Sequence, residues 1–77
     1  MTSFTVPYTD HQIEVDTRAR TVLFFRNAWN RESSGYPDET YTFEELLADK
    51  SRLLLLTAML AGNDAAELER LIRTPTT

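Results

Sequence analysis

Gln12-Ile13-Glu14-Val15-Asp16-Thr17-Arg18-Ala19-Arg20-Thr21-Val22-Leu23-Phe24-Phe25 is the stretch that decides the fold class. Ile13 and Val15 alternate with polar neighbours at the two-residue period of a half-buried strand, and Thr21 to Phe25 is dense in β-branched and aromatic side chains. The residues between them are polar or small, and Asp16 can accept a hydrogen bond from the backbone two residues on, which favours a turn. The reading is a β-hairpin over 12–25, with residues 12–15 antiparallel to 21–25. Towards the N-terminus Phe4 and Val6 also alternate, but Pro7 offers no amide to a ladder. Residues 1–11 are therefore an arm or edge strand, the third strand of the sheet if they pair.

Towards the C-terminus, residues 26–41 hold Asn27, Asn30, Ser33, Ser34, Gly35, Pro37 and Asp38, a density of turn formers that reads as a loop. Its aromatic residues, Trp29 and Tyr36, are expected to cover the edge of the core. Thr42-Phe43-Glu44-Glu45 then matches a capping box, in which the Thr42 hydroxyl accepts the Glu45 amide. A long helix over 42–61 follows, with Gly62 placed to end it in the left-handed conformation. Asp64 and Glu67 repeat the box spacing and open a short helix over 64–73, supported by Glu67 with Arg70 and Glu69 with Arg73. Residues 74–77 form a frayed tail. The expected fold is a single α+β domain over 1–77, a small antiparallel sheet packed on one long helix and one short C-terminal helix.

A chain of 77 residues supports one core, and 42% hydrophobic with 26% charged residues is ordinary for a compact soluble domain. There are no cysteines, so neither a disulfide nor a cysteine-containing metal site can reinforce so small a core. Added support is expected from a larger protein partner or a homodimer. Residues 1–6 lack the basic start and apolar run of an export signal, and Leu53 to Ala61 is too short to span a bilayer. The expected location is cytoplasmic, with no membrane association. Charge balances through residue 37; beyond it acids outnumber bases, and that half carries the whole net charge of −4. Generic phosphate binding is disfavoured there.

At 100° per residue, Phe43, Leu46, Leu47, Leu53, Leu54, Ala58, Leu60 and Ala61 share one broad helix face, which belongs on the sheet. Leu55 and Met59, one turn apart, project to the opposite side, with Leu56 between. Two coverings suit them: the short helix, whose Leu68, Leu71 and Ile72 need a surface in return, or an interface with a partner. The acidic run Asp38, Glu39, Glu44, Glu45 and Asp49 favours a helix start through the aligned peptide dipoles. In a functional reading, part of the run would meet basic groups on another molecule.

The expected function is accordingly non-enzymatic: a small acidic regulator or inhibitor that occupies a surface of a larger protein. Leu55 and Met59 would be its apolar anchors, and Glu44, Glu45 and Asp49 its charged rim. Phage-encoded inhibitors of host machinery, anti-CRISPR proteins among them, are a class of this kind. The alternative is a nucleic-acid-binding accessory or repressor-like protein using Arg18, Arg20, Arg26 and Arg31 with Phe24, Phe25, Trp29 and Tyr36 as a stacking surface. Net charge makes nucleic acid the less favoured partner.

Catalysis finds little footing. The single histidine, His11, has no cysteine or second histidine to work with, and Glu44 and Glu45 point about 100° apart on a helix. Two glycines, Gly35 and Gly62, cannot build a phosphate loop. No catalytic residue, cofactor or metal is expected.

Leu47 to Leu56, followed by Ala61-Gly62 and Ala66-Glu67-Leu68, resembles the opening two helices of winged-helix repressors of the ArsR type. The resemblance spans about 25 residues and would imply DNA binding. Strand-forming residues on the N-terminal side, and the chain's end where a recognition helix and wing would follow, depart from that pattern.

Overall fold

Four strands, β1 (Thr2–Thr5), β2 (Gln12–Asp16), β3 (Thr21–Phe25) and β4 (Glu39–Thr42), pair antiparallel in chain order. Beyond β4 the described residues form α1 (Phe43–Ala48), α2 (Lys50–Ala58) and α3 (Gly62–Arg73). The computed structural model describes residues 2–27, 29 and 35–74. The α+β class and the hairpin are as the sequence implies, with Ile13 opposite Phe24 and Val15 opposite Val22. Asp16 makes its turn as expected, one carboxylate oxygen accepting the amides of Arg18 at 3.0 Å and Ala19 at 3.1 Å.

One strand was expected as a possibility and one enlarges the sheet. The arm pairs as β1, with Phe4 opposite Ile13, and ends before Pro7 on the sheet's edge. Strand β4 arises within the segment read as loop, where Tyr41 pairs with Val22 and Thr40 with Leu23. It is short and follows a run of turn formers, so its alternation is invisible until β3 offers a partner.

The pleat sends Phe4, Ile13, Val15, Val22, Phe24 and Tyr41 to one face, where Phe43, Leu46, Leu53, Leu56, Leu60, Leu68 and Ile72 meet them. Phe25 and Glu14 are buried on the other face, and no buried side-chain nitrogen or oxygen among the described residues lacks a hydrogen-bond partner. The accessible surface of 5082 Å² is close to the roughly 4,800 Å² expected of a folded chain of this mass, so one chain encloses its core to the usual extent.

The single long helix is corrected to two. Thr42 caps α1 as expected, its hydroxyl accepting the Glu45 amide at 3.1 Å. At Asp49 the backbone leaves helical geometry (φ −114°, ψ 89°), its amide donating to the Glu45 carbonyl at 2.9 Å while its carboxylate accepts the Arg52 amide at 3.2 Å. An aspartate that can bond nearby backbone competes with the helical ladder, and here it ends one helix and starts the next.

Residues Leu53, Leu56 and Leu60 form the stripe that α2 and its C-terminal turn bury, whereas Leu54, expected on the core face, is 67% exposed. Leu47, Ala58 and Ala61 are exposed as well. Gly62 does not end a helix in the left-handed region; it begins α3, after an extended Ala61 that supplies no side-chain cap. The last helix is thus longer than α2 and starts two residues before the expected 64, with Asp64 in its first turn rather than before it. Among the described residues, no helix is long and apolar enough to cross a membrane.

Candidate functional site

Strand β4 and helix α2 run past each other at the sheet's edge and leave a cleft of about 400 Å³ between them. Strand alternation puts Glu39 and Tyr41 on the helix-facing side of β4, beside Phe24 of β3. Helix α2 and the residue after it supply Arg52, Leu55, Leu56 and Met59, spaced three to four residues apart along one flank. Phe24, Tyr41 and Leu56 are buried, Met59 is half-buried, and Leu55 stands 69% exposed at the rim.

Two opposite charges frame this apolar space. The Arg52 guanidinium lies 5.3 Å from the centre of the Tyr41 ring and 3.9 Å from the Asp49 carboxylate. Burial pushes the Tyr41 hydroxyl above the ordinary tyrosine range, and Glu39, as hydrogen-bond acceptor and negative charge, adds to it; Arg52 opposes both. An aliphatic or aromatic side chain fits such a cleft, with one anion and one cation at its mouth to orient what enters.

Leu55 and Met59 are thus brought together on the cleft, and α3 does not cover Leu55. The acidic residues expected beside them separate. Glu44 and Glu45 lie on the first turn of α1, past the end of β4 farther from Glu39, and line no part of the cleft. Glu44 bonds Arg20 at 2.9 Å; backbone hydrogen bonding, and after it this contact, holds its carboxyl below the usual range. Asp49 reaches the cleft only through Arg52.

Sequence reading missed Tyr41 and Arg52, and it placed Glu39 only in the acidic run and Phe24 only in the stacking surface. The only signal was the alternation Glu39-Thr40-Tyr41-Thr42, too short to stand out from the preceding loop.

Among the described residues, those considered as a stacking surface for nucleic acid do not share one face. Phe24 is buried beneath the helices and Phe25 on the other face, while Arg20 lies over the Phe43 ring at 5.1 Å and pairs with Glu44. Arg18 sits in the turn at the opposite end of the sheet from Trp29 and Tyr36, and Arg31 lies outside the described residues. Trp29 and Tyr36 do not shield the core edge; they are 69% and 79% exposed. His11 packs at 5.4 Å from the Phe24 ring, with Nδ1 2.7 Å from the Arg26 carbonyl. Among the described residues, no group of three or more histidine, aspartate or glutamate side chains lies together as a metal site.

Fold and cleft together define a small α+β domain with a partly open apolar site at its sheet edge. No family model, curated protein or solved structure matches the chain.

Proposed function

We propose that this chain is a non-catalytic binding protein that regulates or inhibits a larger protein by occupying part of its surface. The observation that carries the reading is Leu55, a large apolar side chain left 69% exposed on the rim of the cleft. Burial of such a residue on association removes apolar area from water, and the cleft beside it accepts a complementary side chain. In this reading Glu39 and Arg52 orient the partner at close range. Glu44, Glu45 and Asp49 contribute to the long-range field of a chain with net charge −4, which favours approach to a basic surface. Inhibitors that phages direct at host machinery are one class in which this mode of action is at home.

The test is affinity capture from the source cells with the natural chain and with Leu55→Glu, followed by quantitative mass spectrometry. A stoichiometric partner held by the natural chain and lost by the folded variant supports the reading. A partner retained equally by both removes the cleft from the argument. A mobility shift with single- or double-stranded nucleic acid at low salt, steeply weakened by added salt, would replace it with the nucleic-acid alternative.

A further inference from the structure

The antiparallel register places Thr5, Gln12, Phe25 and Glu39 at one end of the sheet, so the β1–β2 turn and the β3–β4 connection leave from that same end. Three aromatic side chains stand out there: Tyr8, fully exposed, with Trp29 and Tyr36. The two segments are tied together. The Val6 amide donates to the His11 carbonyl at 3.0 Å, His11 Nδ1 meets the Arg26 carbonyl, and the Arg26 amide donates to Asp38 at 2.7 Å.

Tyr8 is the odd member. It follows Pro7 in a turn closed by the Thr9 amide on the Val6 carbonyl at 3.3 Å, with φ of +64°. Proline first and a positive φ second is the type II pattern, whose second position suits glycine. A bulky residue there holds a strained backbone while its ring lies wholly in solvent, so the fold gains nothing visible from the side chain.

We propose that this end of the sheet docks a lysine- and arginine-bearing protein surface, with Tyr8 as its central contact. Exposed tyrosine and tryptophan on loops above a rigid sheet are the residue types that dominate binding energy, and their ring faces attract cations. Charge agrees: among the described residues of the two segments Asp10 and Asp38 outnumber Arg26, and the chain as a whole is acidic. The surface is distinct from the Leu55 cleft, and neither requires the other.

Trp29 is the only tryptophan, so its emission reports on this end directly. The full chain is titrated at low salt with an oligoarginine peptide, an oligoglutamate peptide and single-stranded oligothymidine. Saturable binding of oligoarginine alone is expected, weakened about tenfold by Tyr8→Gly and changed less than about twofold by Glu69→Gln on α3. Tyr8→Gly should melt at or above the temperature of the natural chain, which separates lost binding from lost folding. Equal or tighter binding of oligothymidine, absence of saturable binding, unchanged affinity in Tyr8→Gly, or a lower melting temperature for that variant would each overturn the proposal. Leu55→Glu should leave this titration unchanged, so its result is read separately from the cleft's.

Discussion

Asp49→Ala tests why the helical segment is divided. Asp49 is the C-cap of α1 and the N-cap of α2, and its carboxylate accepts the Arg52 amide at 3.2 Å. Losing an N-cap acceptor costs about 1 kcal/mol. The contact with the Arg52 guanidinium is long at 3.9 Å, with both side chains about half exposed, and adds little to that figure. Alanine also removes the residue that competes with the ladder and is roughly 0.7 kcal/mol more favourable in a helix interior, so the variant pulls towards one continuous helix. Packing resists, because Phe43 and Leu46 of α1 and Leu53 and Leu56 of α2 are all buried in one core. A continuous axis would withdraw one of these pairs, at a cost of several kcal/mol. The break should persist and stability should fall by about 1 kcal/mol, a melting-temperature drop of roughly 4–8 °C for a domain of this size. Asp49→Asn, which keeps the acceptor, should remain within about 0.5 kcal/mol. Chemical denaturation with far-ultraviolet circular dichroism reads both quantities. An Asp49→Ala protein as stable as the natural chain, with a stronger helical signal, would refute the assignment of the break to the cap and to core packing.

Leu53→Ala should destabilise by about 2–4 kcal/mol, whereas Leu54→Ala, next to it on the exposed flank, should change stability by less than about 0.5 kcal/mol; denaturation midpoints measure both. Because the folded Tyr41 pKa is raised, its contribution to stability is complete below the unfolded tyrosine pKa and is lost as pH rises through the folded value. An ultraviolet titration should therefore show a tyrosine phase above the ordinary tyrosine range that is absent in Tyr41→Phe; its persistence would refute the assignment. Glu44 has the opposite sign: its folded pKa is depressed, so its contribution is present above the unfolded carboxylate pKa and is lost as pH falls through the folded one. Glu44→Gln should leave a shallower acid limb in stability against pH, and an unchanged limb would count against a depressed Glu44 carboxyl.

Local chemistry made the hairpin, its Asp16 turn and the Thr42 cap legible in the sequence, because each depends on residues only a few positions apart. The alternation of Ile13 with Val15 and the projection of Leu55 away from the main helix face are likewise carried by short-range period, whereas its exposure was decided only by where α3 packs. Tertiary structure decided what depends on long-range company. Four residues of β4 become a strand only against Val22 and Leu23, and that pairing brings Glu39 and Tyr41 to α2. Helical periodicity, which assumes an unbroken axis, put Leu54 in the core and joined Glu44 and Glu45 to the same surface as Leu55. The turn at Asp49 ends that common axis, and packing buries Leu53, Leu56 and Leu60 instead. The gathering of Tyr8, Trp29 and Tyr36 at one end was equally hidden. It follows from the direction in which antiparallel strands return, which no local pattern records.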